Sequence, residues 1–173
     1  MISGQIHTLS GFSFATAKAR AFWELLKFRL SFLVAFSCAF GYVLASPMIN
    51  WHVLPMLFIG GFLMSGAAIV VNQIIEKDLD KLMSRTQNRP LPTGRLTVNE
   101  AVAFCVICLL TGVAILLVYT NVFTTVLSVI SMILYSFVYT PLKRVGPIAV
   151  FAGAIPGALP PLLGWTAATG FIS

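Results

Sequence analysis

Five stretches of this chain carry almost no charge: residues 28–46, 53–75, 98–118, 121–139 and 148–168. Each is close to the ~20 apolar residues that a helix needs to cross a bilayer. In hydrocarbon every backbone N–H and C=O has to be bonded within the protein, so such stretches fold as helices. The expected fold class is therefore all-α, a polytopic transmembrane helical bundle. Composition agrees. The chain is 58% hydrophobic with a mean hydropathy of +0.95, against about 45–50% apolar for soluble domains. At 173 residues it holds one domain at most and is too short for a large transporter. Residues 1–21 read as a loose N-terminal arm and 22–173 as the transmembrane domain. Residues 1–17 lack an apolar core followed by a small-residue cleavage site, so the first apolar helix is expected to stay as an anchor.

The net charge of +6 fits membrane topology rather than nucleic-acid binding. Lys18, Arg20, Lys27 and Arg29 lie before or at the mouth of the first span. The next loop, 47–52, has no Lys or Arg, and the following one, 76–97, has five. The link at 119–121 has none, and the loop at 140–147 has Lys143 and Arg144. This alternation is the positive-inside pattern for five spans with a cytoplasmic N-terminus. It puts residues 76–97 and Lys143-Arg144 on the same, cytoplasmic, face. A bacterial inner membrane suits the pattern, because a mitochondrial presequence would be Arg-rich and residues 1–17 contain no Arg.

Ala21 to Arg29 (AFWELLKFR) reads as a short amphipathic approach, with Trp23 and Lys27 suited to the membrane interface. Gly60, Gly61, Gly66, Ala67 and Ala68 permit close helix packing in the second span. Spans three and four, joined at Thr120-Asn121, are expected to form an antiparallel hairpin, and Pro141 is expected to end span four. The fifth span contains Pro156, Pro160 and Pro161. It is expected to be kinked or broken, either lining a cavity or packing against a neighbour. Cys38, Cys105 and Cys108 all fall inside spans. Cys105 and Cys108 share a helix face and read as small packing residues, since nothing nearby supplies further ligands for a metal.

Residues 72–95, NQIIEKDLDKLMSRTQNRPLPTGR, hold three of the five acidic residues and five of the eleven basic ones. Asn72, Glu76 and Asp80 stand at i, i+4 and i+8, one helical stripe drifting about 40° per step, and Asp78 lies about 200° from its acidic neighbours. Oxygen ligands on consecutive turns can hold magnesium, which takes carboxylates, phosphate oxygens and water. Arg85 and Arg89 repeat the four-residue spacing and offer planar donors suited to phosphate. The other reading is a solvated loop whose charges serve topology, with Lys77 and Lys81 pairing weakly to nearby acids. Asn72 and Glu76 sit at the edge of an apolar span, where polar groups are expensive, and this favours a functional role.

The run N-x-x-x-E-x-D-x-D followed by M-x-R-T-x-x-R-P-L resembles the first aspartate-rich motif of the UbiA-type intramembrane prenyltransferases. YTPLKR at 139–144 and GAIPGALPPLLGWTAATG at 153–170 are similar to the protohaem IX farnesyltransferases within that superfamily. LLKFR at 25–29 resembles their Lys-Pro-Arg approach to the first span, with Phe28 where Pro is usual. The likeness covers about residues 20–170, with the motifs in order. It implies a bundle of about nine membrane-crossing helices, five of them present here, around a central cavity. It implies farnesyl transfer from farnesyl diphosphate to a vinyl group of haem B, with addition of water, giving haem O. It also implies Mg2+ as cofactor. Asn72, Glu76 and Asp80 would bind the metal, and Arg85, Arg89, Lys143 and Arg144 would hold the diphosphate. The expected catalytic set is Asp80, Lys143, Arg144 and Tyr139. Tyr135 and Tyr139 either face the allylic cation with a ring or anchor the interface.

Two departures stand out. Glu76 replaces the family's usual Asp, one methylene longer but still a carboxylate. The second aspartate-rich motif should follow residue 170, so these residues are expected to be the N-terminal part of such an enzyme, inactive alone unless two chains combine. The competing readings are prenyl transfer to an aromatic quinone precursor, a small transporter, and a non-catalytic membrane protein binding prenyl diphosphate or haem. Expected partners are farnesyl diphosphate, haem B and the lipid bilayer, with no nucleic acid. His7 and His52 do not assign a haem ligand, His52 reading as an interfacial residue on the outer face. The oligomeric state is not legible.

Overall fold

The computed structural model describes residues 11–143, 146 and 148–172. It is all-helical. In chain order the elements are α1 (Gly11–Leu25), α2 (Phe28–Ala45), α3 (Val53–Asp80), α4 (Val98–Tyr119), α5 (Val122–Ile133), a π-helix (Leu134–Tyr139), α6 (Thr140–Leu142) and α7 (Ile148–Thr169). Five helical units are long and apolar enough to cross a membrane: α2, α3, α4, the continuous run Val122–Leu142, and α7. They match the five uncharged stretches to within a few residues. The exception is α3, which continues past residue 75 to Asp80.

The first correction concerns the N-terminal arm. Residues from Gly11 onward are helical and not a loose arm. The run ATAKARA (15–21) is rich in strong helix formers. Ala21 and Leu25 are buried, so α1 docks on the bundle as well. Its end is held by side chains from elsewhere. Gln73 Nε2 donates to the Leu25 carbonyl at 2.6 Å, and Ser31 Oγ donates to the Leu26 carbonyl at 2.8 Å. Both donors are buried, and they satisfy carbonyls left open where the helix breaks. The break itself is Lys27, at φ 46, in the left-handed region that a side chain with a Cβ seldom occupies.

The bundle packs α3 against α4 on one side and α2 on the other, with α7 laid along α2. The α2–α7 seam is a backbone contact. A Cβ at Gly41 would fall on the Pro161 carbonyl, and one at Gly164 on the Cys38 carbonyl. With little hydrophobic force between helices in lipid, such close approach is the main source of association. Capping fixes the helix starts. Thr97 and Glu100 form a reciprocal capping box at α4, and Asn121 Oδ1 accepts from Thr124 N at 2.8 Å at α5. Asn121 Nδ2 also donates to the Thr166 carbonyl, tying the α4–α5 turn to α7. The three cysteines are buried free thiols, and Cys105 Sγ donates to the Ala67 carbonyl across the α3–α4 contact.

One expectation about proline does not hold. Pro141 does not end span four, which runs through the π-helix to Leu142. The wider π register bonds Thr140 N–H to the Tyr135 carbonyl, five residues back, and Pro141 then sits at the first turn of α6, where a missing N–H is tolerated. The fifth span lines the cavity, as one of its two readings expects. It is one helix from Ile148 to Thr169 with Pro156, Pro160 and Pro161 inside it. Pro160 and Pro161 remove the helical donors of the Pro156 and Gly157 carbonyls, and both of those residues line the central cavity.

Gly164→Ala should therefore lower the unfolding temperature of the purified protein in detergent, by the ~1–3 kcal/mol typical of overpacking or more. Gly157→Ala, with nothing within 4 Å of its added Cβ, should be neutral. Equal effects would mean that the α2–α7 seam is not the tight contact described.

Candidate functional site

The acidic end of α3 is buried. Asn72, Glu76 and Asp80 are 4%, 8% and 4% exposed, whereas the Asp78 side chain is 90% exposed and meets only Lys81, at 3.5 Å. The one-stripe reading of Asn72, Glu76 and Asp80 is thus the observed geometry. A buried carboxylate needs a counter-charge, and each has one. Lys143 Nζ reaches Glu76 at 2.6 Å, and Arg89 Nη1 reaches Asp80 Oδ2 at 2.6 Å. Asn72 Nδ2 donates to Thr140 Oγ1 at 2.7 Å. The Asn72–Thr140 and Glu76–Lys143 contacts join residues 68 and 67 apart in sequence, so the ends of spans two and four close on one another.

Arg85 and Arg89 do not share a helix face. α3 ends at Asp80, and the following residues form a series of turns containing Pro90, Pro92 and Gly94 at φ 73. Thr86, buried, donates from Oγ1 to the Asp80 carbonyl at 3.0 Å and turns the chain. Arg89 is brought back onto Asp80, while Arg85 stays exposed. The four-residue spacing misleads here because it presumes a helix. Arg144 lies outside the described residues.

Lys27 joins the site, although the sequence marks it only as a basic residue ahead of a span. Its left-handed backbone carries it from the α1–α2 break into the field of Arg89, Asp80, Lys143 and Arg85. Partial burial, with Arg89 next, holds its ammonium below the ordinary lysine range, against the opposing pull of Asp80. Around two buried carboxylates, then, three or more cations converge from separate segments. The loop that carries Arg89 is itself clasped to α1. Arg95 pairs with Glu24 at 2.8 Å, and Lys18 pairs with Glu100.

Directly beneath the charged end lies an apolar cavity of about 500 Å³. Leu57, Met64, Ala68, Tyr135, Tyr139 and Pro160 are among the residues that line it. Its size is ordinary for a small-molecule site. The Tyr135 and Tyr139 rings sit 5.5 Å apart, and Lys143 Nζ lies 5.9 Å over the Tyr139 ring. Both tyrosines are half-buried and line the cavity. His52 lies just before the first residue of α3, at the opposite end from the acidic stripe.

The donor set fits a hard divalent cation. It consists of oxygen atoms only, two carboxylates and an amide, aligned on consecutive turns. Among the described residues no three His, Cys, Asp or Glu side chains converge on one point, so further oxygens would come from water or a bound anion.

Comparison with known proteins gives the family. Residues 34–173 match the UbiA prenyltransferase family. The chain belongs to that family. It is 50% identical over 152 residues to the protoheme IX farnesyltransferase of Cytophaga hutchinsonii, covering 87% of this chain and 53% of that protein. It is 41% identical over 174 residues to the mitochondrial protoheme IX farnesyltransferase of Arabidopsis thaliana, covering 99% of this chain and 40% of that one. The chain spans about half the length of the curated relatives it matches. A solved digeranylgeranylglyceryl phosphate synthase shares its fold with a TM-score of 0.78 at 24% identity, over 87% of this chain and 53% of that one. A UbiA homologue from Archaeoglobus fulgidus, bound to DMAPP and Mg2+, does so with a TM-score of 0.68 at 18% identity, over 85% of this chain and 52% of that one. As a UbiA member with five apolar helices, the chain is an integral, multi-pass membrane protein.

The pairing of Lys143 with Glu76 generates a stability prediction. Lys143→Met should cost about 1–3 kcal/mol, below the range for a fully buried pair because Lys143 is one-third exposed. Adding Glu76→Gln should recover most of that loss. A double variant as unstable as the single one would show that the two charges do not depend on each other.

Proposed function

We propose that this UbiA member is the part of a protohaem IX farnesyltransferase that binds the prenyl diphosphate. It would transfer farnesyl from farnesyl diphosphate to a vinyl group of haem B, with water added and diphosphate released, giving haem O. One observation carries the reading. Buried carboxylates and an excess of cations meet at the head of an apolar cavity, the arrangement that a lipid diphosphate with a divalent cation requires. The names of the most similar relatives support haem as acceptor, and the ligands of the Archaeoglobus homologue support a prenyl diphosphate with Mg2+.

Asn72, Glu76 and Asp80 would hold Mg2+, which when bound supplies positive charge for the leaving diphosphate. The remaining chemistry belongs to the chain. Lys143 and Arg89, now paired to the carboxylates, would be the donors nearest to the diphosphate oxygens in a site where Glu76 and Asp80 serve as metal ligands. Lys27 and Arg85 would add donors around the same anion, and Arg144, next to Lys143 in the sequence, is the further candidate. Negative charge grows on the diphosphate as the allylic carbon–oxygen bond breaks, and fixed cations lower the energy of that state. The allylic cation left behind lies against Tyr135 and Tyr139, whose ring faces stabilise positive charge. The apolar cavity takes the farnesyl tail and keeps water from the cation. Orientation in a bacterial inner membrane, N-terminus inside, follows the basic loops.

Asp80→Asn should weaken Mg2+-dependent diphosphate binding by about tenfold or more, while Asp78→Asn stays within about twofold. Equal losses would remove the one-face site. For the reaction, membranes containing the 173-residue chain, and in parallel the full product of its gene, would be mixed with haem B, farnesyl diphosphate and Mg2+. Haem O should form, read by mass. Failure of both, with prenylation of an aromatic quinone precursor instead, would move the activity to that acceptor.

A further inference from the structure

Thr140 is the most confined polar residue in the site. It is 0% exposed and makes two side-chain hydrogen bonds. Its Oγ1 accepts from Asn72 Nδ2 at 2.7 Å and donates to the Tyr135 carbonyl at 2.9 Å. A hydroxyl has one proton. With that proton on the Tyr135 carbonyl, the Asn72 amide meets Thr140 through its nitrogen. Its oxygen is left as the amide atom available to a cation.

The second bond depends on the π-helix. A threonine in an α-helix bonds back three or four residues. Here the partner is five residues back, because the π register brings the Tyr135 carbonyl to both the N–H and the hydroxyl of Thr140. The turn is in turn registered on α3. Ser136 Oγ donates to the Ala68 carbonyl at 3.4 Å, four residues before the Thr140–Asn72 contact on each helix. π-turns inside α-helices recur at functional sites, and this one has a chemical consequence.

Resting on the diphosphate–metal reading above, we propose that Thr140, held by the π-helix, is a positioning residue that fixes the Asn72 amide with Oδ1 as cation ligand and Nδ2 turned away. An amide's oxygen and nitrogen ends are nearly the same shape, so packing alone would not choose between them. A nitrogen facing the cation would repel it. Partners of this kind, one shell beyond the ligands, typically change metal affinity by about 10–100-fold.

The test is Mn2+ affinity, measured by EPR on the protein in nanodiscs with a thiolo analogue of farnesyl diphosphate present. Thr140→Val keeps the shape and loses the hydroxyl. It should weaken Mn2+ about 10–100-fold, and Thr140→Ser should restore it. In an Asn72→Asp background, where both side-chain atoms are oxygens, Thr140→Val should have little effect. Equal weakening in both backgrounds would mean a merely structural role and overturn the proposal, as would wild-type affinity in Thr140→Val. Asp80→Asn is the control for the site itself. If it binds Mn2+ like the wild type, the metal reading falls and this inference with it. Should Thr140→Val fail to fold, the unaltered protein decides. On Mg2+ addition the side-chain amide resonances of Asn72 should shift, and an absence of shift overturns the proposal.

Discussion

Two carboxylates held almost entirely out of water govern this structure. Glu76 and Asp80 are on a stripe that α3 turns inward, and neither can be left without positive charge nearby. The counter-charges come from different parts of the chain: Lys143 beyond α6, Arg89 from the turns after α3, and Lys27 from the break between α1 and α2. Each must be held against its own preference. The Lys27 backbone is in a conformation that costs energy, and buried Gln73 and Ser31 hold the carbonyls beside it. Arg89 depends on Thr86 to turn the chain. The ionic end is organised by uncharged side chains, Gln73, Ser31 and Thr86, that bond backbone carbonyls.

Below that end the structure changes character. The cavity is apolar, and two of the helices that wall it, α2 and α7, are drawn together by backbone contacts at Gly41 and Gly164. This division suits an amphiphile. One part of the ligand is handled by charge at short range, the other by exclusion of water. The two tyrosines stand at the boundary between these regimes, which is where a cation formed from an apolar chain would lie.

Much of this was legible in the chain, because helical periodicity is a strong signal. The five spans and the Asn72–Glu76–Asp80 stripe follow from spacing alone, and so does the outward turn of Asp78. The parts that were not legible depend on contacts between distant residues or on unusual backbone. Nothing local in LLKFR shows that Lys27 has a left-handed backbone. The topology puts Lys143 on the same face as Glu76 without showing that they pair. The spacing of Arg85 and Arg89 suggests one helix face, but α3 ends at Asp80 and turns follow. Pro141 carries the mark of a helix stop, yet the wider turn before it absorbs the missing donor. Residues 11–21 show little apolar pattern, because Ala21 and Leu25 supply the buried face.

The length of α3 sets where events take place. Its 28 residues make a rod of about 42 Å at 1.5 Å per residue, whereas the hydrocarbon of a bilayer is about 30 Å thick. A helix of that length overshoots the oily layer, and Glu76 and Asp80 are on its last two turns. On the proposed function, the ionic groups would stand at the rim of the membrane with the cavity below them at hydrocarbon depth. An ionic fragment released there would pass into water without crossing lipid, and the apolar fragment left behind would stay in the layer where it dissolves.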